Sequence, residues 1–275
     1  MQGGWSLRRP ASFKSGETHM TVFILKLIAM GSMLVDHTAY WLVDNNNVMR
    51  NIGRLAFITY AFLIAESYYH LRERPERLKR HACKLFVLCL VSEPLYDQFT
   101  RRKWINWELQ NVLPTLLFGF IALIIIGWWR NKNTNIVYRY IGSVIICFVA
   151  AITSYAVRSE YEFGGVILIV LFYLYLNKAE GFTLPQRIVC LLLIDAAYIW
   201  SYIWASAGFG AWPAIAEAAA SFNRRLIGSL VAIIPLAFYN RKLGYHSKWF
   251  GWLYSVFYPL QFVVLLAARY FVRGF

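Results

Sequence analysis

Charge is scarce in this chain, and negative charge is scarcer still. Of 275 residues only 15% are charged, and 14 Asp and Glu stand against 28 Lys and Arg, a formal net charge of +14. A soluble domain usually carries about a quarter charged residues, so the composition argues against one. Cysteine and proline are also few, at four and eight. Cys83, Cys89, Cys147 and Cys190 lie in or beside apolar runs, with no CxxC and no metal-like spacing to a histidine. A disulfide framework and a metal site therefore drop out, and these residues read as small packing groups. The chain has no GxxxxGK[ST], GxSxG or HExxH, so no nucleotide-hydrolysis loop, serine elbow or zinc helix is present. No nucleic-acid motif accompanies the positive charge either. Its Lys and Arg sit mainly in short loops between apolar runs, where they read as topogenic charge and anionic-lipid contact.

What is abundant is apolar and aromatic. Hydrophobic residues make up 59% of the chain and aromatic residues 18%, and mean hydropathy is +0.46. The apolar residues come in runs near the length that crosses a bilayer as a helix, about 20 residues. Nine such runs are expected to be spans: 22–43, 52–71, 82–99, 111–129, 136–157, 162–177, 188–209, 226–239 and 249–272. The fold class is all-α, a polytopic transmembrane bundle of about nine spans (eight to ten). It forms one domain over 22–275 after a basic leader, 1–21, which lacks an apolar stretch before a cleavage site. Placing the N-terminus inside puts fifteen Lys and Arg in inside loops and eight outside, with Arg50 among the outside ones. That bias predicts a multi-pass protein of the bacterial inner membrane with a cytoplasmic N-terminus.

Ionisable groups inside a span are costly and mark packing clusters or sites. Asp36 and His37 lie about 14 residues into the first run, roughly 21 Å at the helical rise. Lys26 is three turns earlier on the side of His37. Arg54 opens the second run and Glu66 lies near its other end. Glu93 and Asp97 are four apart in the third, Asn111 and Thr115 four apart at the start of the fourth, and Tyr258 and Gln261 fall in the last. With alternating spans, Asp36, His37, Arg54, Glu93, Asp97 and Asn111 share one depth, the outer half. His37 has the chemistry of a general base. Adjacent helical residues do not face each other, so Asp36 is expected to pair with Arg54 as readily as to orient His37. A satisfied cluster that locks the first three spans together is the plainer reading. Asp195, a lone acid in the seventh run, is expected to pack with Tyr198 or Ser201. His70 and His81 flank the basic segment 72–80 and are expected to be solvated.

These motifs resemble the TraX family, integral membrane proteins associated with N-terminal acetylation of conjugative pilin. KLIAMGSMLVDH is similar to the family's first-span signature ending in Asp-His, and NIGRLAFITYAFLIAES to its Gly-Arg-x-Ala-Phe segment. SEPLYDQF and QNVLPTLLFG are similar to its Ser-Glu-x-Pro-x-Asp and Asn-Val segments. The likeness runs from about residue 25 to 268. Two positions depart from it: Ile58 follows Phe57 where the family commonly has Pro, and Gln261 stands where the last span usually carries the His of Tyr-x-x-His.

The resemblance implies a membrane acyltransferase that moves an acetyl group from cytosolic acetyl-CoA to an extracytoplasmic acceptor, such as a pilin N-terminal amine or an envelope glycan. It implies His37, Asp36 and Arg54 as catalytic residues and Glu93, Asp97, Asn111, Tyr258 and Gln261 as substrate-binding. Lys26, Glu66 or the 72–80 segment would lie near the acetyl-CoA, and membrane lipids are further partners. The alternatives are a transporter or lipid scramblase using the same polar cluster, and a non-enzymatic pilin assembly factor.

Overall fold

With no water in the hydrocarbon core, backbone N–H and C=O groups must pair within the segment that carries them, so apolar runs fold as helices. The computed structural model describes residues 20–42 and 46–273; most of the leader 1–21 lies outside them. Among the described residues there are nine long helices: α1 (Val22–Trp41), α2 (Asn47–Leu71), α3 (Pro75–Arg101), α4 (Leu113–Lys132), α5 (Ile136–Ala156), α6 (Glu162–Lys178), α7 (Leu184–Ser206), α8 (Trp212–Ala237) and α9 (Lys248–Arg273). The chain is a multi-pass, all-α membrane protein. Seven of these helices are long and apolar enough to cross a membrane, all but α3 and α8.

Those two exceptions correct the expected boundaries. Helix α3 starts at Pro75, not at 82, so Arg77, Lys79 and Arg80 lie on its first turns rather than in a loop. Helix α8 starts at Trp212, and its apolar stretch is only Gly228–Ala237. Hydropathy marks the apolar part of a helix, whereas hydrogen bonding continues into charged turns wherever a start signal allows. Proline in the first turn supplies that signal in α3, α4, α7 and α8, because its missing N–H would be unpaired there anyway. Elsewhere side chains cap the start: Asn46 accepts from the Val48 and Met49 N–H groups at 3.0 and 3.2 Å, and Asn135 from Val137 at 2.8 Å.

The helices run alternately between two ends. At the leader end, where α1 begins, Met20 pairs with Tyr239 as a short parallel bridge and the Val22 N–H donates to the Lys242 carbonyl at 2.9 Å. Arg72 donates to Asn177 at 2.8 Å, and Arg187 to the Tyr239 carbonyl at 3.2 Å. At the far end the α3–α4 connection pairs with the α5–α6 turn through Gln110 and Ser159, and the Tyr40 hydroxyl donates to the Thr100 carbonyl at 3.4 Å. The most extensive packing joins α1 to α2. Fully buried Phe62, Phe120, Phe172, Leu25, Leu168 and Ile169 form the core around it. Gly53 permits the close approach, since a Cβ there would collide with Asp36. Gly228 brings α8 equally close to Asn51 and Arg54 on α2.

Candidate functional site

The far-end site is built on α2. Arg50, Gly53, Arg54 and Phe57 are three and four apart, so they share one face. Arg50 donates to the Asp36 carboxylate at 3.0 Å. This is a correction to the expected Arg54 partner and to the reading of Arg50 as a loop charge. One turn on, Arg54 turns to the α5–α6 turn, with the Tyr161 hydroxyl at 3.4 Å and the Glu160 carboxylate at 3.9 Å. The Tyr161 ring stacks on Phe57 with centroids 3.5 Å apart. These groups surround a cavity of about 250 Å³ lined by Asp36, His37, Arg50, Arg54, Glu160 and Glu162, among others. Both charge signs are present, as a site for a polar or zwitterionic group requires.

His37 forms the apolar side of that cavity. Its ring stacks on Phe262 at 4.9 Å, leans on Phe99 at 5.5 Å and meets the edge of Tyr258 at 6.3 Å. Asp36 and His37 therefore do not form a hydrogen-bonded dyad. Asp36 is 8% exposed and spends one oxygen on Arg50, while His37 packs into the aromatic wall of α3 and α9.

A second cavity of about 560 Å³ occupies the leader end. Lys26, His70, His81, Lys84 and Arg241 line it against a single carboxylate, Glu66, and its walls are largely leucine, isoleucine and valine. Glu66 is held: the Tyr239 hydroxyl donates to it at 2.9 Å and His70 Nε2 lies 2.9 Å away. Lys26 Nζ sits 4.5 Å from the Tyr254 ring centre, and Lys84 donates to Ser255. His81 is partly buried, with its ring 4.8 Å from Phe120, so it is a cavity residue and not the solvated one expected. His70 is exposed as expected but bound to Glu66. The deep end is marked by Met33 and Tyr258. Met33 is one turn from His37, roughly 6 Å along the axis, and Tyr258 touches His37 directly. The two cavities thus approach each other end to end at the His37–Tyr258 contact.

Glu93, Asp97 and Asn111 fall at the far end, on and around the α3–α4 connection. Glu93 accepts from the Asn111 backbone at 3.2 Å and from its side-chain amide at 2.6 Å. Asp97 accepts from the Asn106 N–H at 2.6 Å. These bonds pin the α3–α4 connection, and none of the three lines either cavity. Asp195 pairs with Ser229 of α8 at 3.1 Å, a correction to Tyr198 or Ser201, because its side chain points across to the neighbouring helix. Sequence reasoning missed Arg50, Glu160, Tyr161 and Glu162. The signal was available: an acid-Tyr-acid triplet opens the sixth run, which by span counting starts at the depth of Asp36.

Comparison with known proteins adds a family and one relative. The family model described as TraX protein matches residues 22–269. The chain is 24% identical over 269 residues to a protein of Dichelobacter nodosus described as probable fimbrial assembly protein FimC, serogroup H1, covering 92% of this chain and 97% of that one. No solved structure matches significantly.

Proposed function

This chain belongs to the TraX family, and from that premise we propose that it is an inner-membrane acetyltransferase taking acetyl-CoA from the cytoplasm to a pilin-type amine on the other side. The observation that carries the reading is the end-to-end approach of two chemically different cavities at His37 and Tyr258. The leader-end cavity is cationic at Lys26, Lys84 and Arg241 and apolar within. That pattern suits the phosphates and the long thioester arm of a coenzyme A donor. The far-end cavity offers Glu160, Glu162 and Asp36 to an incoming amine, neutral when it reacts, and His37 to take the proton it sheds as the C–N bond forms. A donor and an acceptor on opposite sides then react without either crossing the membrane. Arg54, held by Tyr161 and Glu160, supplies positive charge beside the reacting centre.

The direct test is transfer of labelled acetyl from acetyl-CoA to a pilin-derived peptide with a free N-terminus, by purified protein in lipid nanodiscs. His37→Ala is expected to lower kcat at least about 10²-fold, the usual contribution of a positioned base. Full activity in that variant would sink the assignment. A second reading has one observation in its favour, the description of the Dichelobacter relative as an assembly protein. An assembly factor would bind pilin and support fimbriation equally well with His37→Ala, and a fimbriation assay separates the two.

A further inference from the structure

Most buried polar side-chain atoms in a folded protein have a hydrogen-bond partner. Among the described residues, four that do not belong to one group, His37 Nδ1, the Tyr258 hydroxyl, and both Nε2 and Oε1 of Gln261, and Asp36 Oδ1 next to it in the chain is a fifth. Tyr258 and Gln261 are 7% and 3% exposed and three apart on α9, hence on one face. The Gln261 amide lies beside His37, and the Tyr258 hydroxyl beside the Val112 backbone, without aligned hydrogen bonds. Pro259 between them leaves the Ser255 carbonyl without its helical donor. Packing alone accounts poorly for this group. A core position of this burial filled by phenylalanine and leucine would leave nothing unpaired.

We propose that the Tyr258 hydroxyl and the Gln261 amide N–H form the pair of donors that holds the carbonyl oxygen of the acyl thioester. The inference rests on the acetyl-transfer reading and assigns the oxygen side of its reacting centre. Tyr258 lines the donor cavity, with its ring centre 6.3 Å from that of His37, which lines the acceptor cavity; Gln261 lines neither and stands behind them, its amide beside His37. A thioester reaching Tyr258 presents its carbonyl carbon between Tyr258 and His37. The amine lone pair forms the C–N bond, and the carbonyl π pair moves onto oxygen, where the two donors meet it. Collapse of that adduct returns the pair and breaks the C–S bond. The proton taken from the amine by His37 passes to the departing sulfur, giving amide and free thiol. Gln261 cannot transfer a proton, but a primary amide donates two hydrogen bonds, which is all that this role asks. Asp36 Oδ1 is an acceptor and belongs to the amine side.

The experiment uses the full chain in nanodiscs, acetyl-CoA and the acceptor peptide, with release of free thiol as the readout. Tyr258→Phe and Gln261→Leu are each expected to lower kcat about 10²- to 10³-fold, the loss typical of one oxyanion donor. The KM for acetyl-CoA should stay within about twofold, because the bond is made to developing charge and not to the ground state. Gln261→His, which keeps an N–H, should recover most of the rate. Gln261→Met keeps the length and has no N–H to donate, so it should match the leucine variant even if the latter folds poorly. Wild-type kcat in Tyr258→Phe, or a raised KM with kcat unchanged, overturns this assignment alone. A wild-type protein that transfers no acetyl group from the thioester overturns the acetyltransferase reading with it.

Discussion

A Cβ on Gly53 would collide with the Asp36 side chain, whereas one on Gly31 would meet nothing within 4 Å. The two glycines lie on packed helices of similar composition, so they make a controlled pair. Gly53→Ala must push α1 from α2 or turn Asp36 off Arg50, and overpacking of this kind costs about 1–3 kcal/mol. Gly31→Ala only removes backbone freedom from the unfolded chain and should stabilise by about 0.5–1 kcal/mol. Thermal unfolding in detergent should therefore move in opposite directions for the two variants. An unchanged midpoint for Gly53→Ala would mean that the α1–α2 seam is looser than described. At this scale the sequence was partly legible. Asp36 and His37 stand out because charge inside an apolar run has few cheap explanations. Arg50 did not, because a cation just outside a run looks like every other topogenic charge. Only the fold shows that α2 begins at Asn47 and carries Arg50 one turn below Arg54.

At the scale of elements, the α3–α4 connection gives the far-end cavity its roof. Leu109 of this segment and Arg101 at the end of α3 line the cavity, and Glu93, Asp97 and Asn111 hold the segment from below. The Gln110 N–H extends the hold to the Arg158 carbonyl at 2.9 Å, next to Glu160. Asn111→Leu removes the side-chain amide bond and leaves Glu93 only the longer backbone N–H, a loss of about 1.5–3 kcal/mol for a bond to a charged group. Because those bonds hold a surface segment, the loss should appear as local opening rather than global unfolding. Faster hydrogen exchange and trypsin cleavage at Arg101, Arg102 and Lys103 are expected, with little change in the melting of the bundle. Protection equal to wild type would show that the roof is held elsewhere. Spacing of four residues put Glu93 with Asp97 and Asn111 with Thr115 on common faces, and this was legible. That these faces meet a loop instead of a cavity was not, since helical periodicity says nothing about what the facing element is.

For the whole molecule, the question is how many helices cross. Hydropathy alone admits seven, and both seven and nine put the chain ends on opposite sides, so a reporter at each terminus cannot decide. The hydrogen bonds can. Helix α3 leaves the α2 turn at the leader end and delivers Thr100 to Tyr40 and Gln110 to Arg158 at the far end. Helix α8 passes Gly228 against Asn51 and Arg54, then ends with Tyr239 bonded to Glu66 and paired with Met20. Each therefore travels the length of the bundle, and the weakly apolar halves are carried by packing against α2, α4, α7 and α9. The surplus of Lys and Arg at the leader end predicts that this end faces the cytoplasm. In a background lacking the four native cysteines, Trp107→Cys should react with an impermeant thiol reagent on intact inner-membrane preparations facing right side out, and Tyr245→Cys only after permeabilisation. Trp107 and Tyr245 are 79% and 63% exposed, so accessibility is governed by side and not by burial. The reversed pattern would put the cationic cavity outside, away from the cytosolic donor of the proposed reaction, and would remove the physical basis for its proposed direction. Protection of both positions would instead mean that α3 does not cross, and would separate Glu93 and Asp97 from the depth of Asp36.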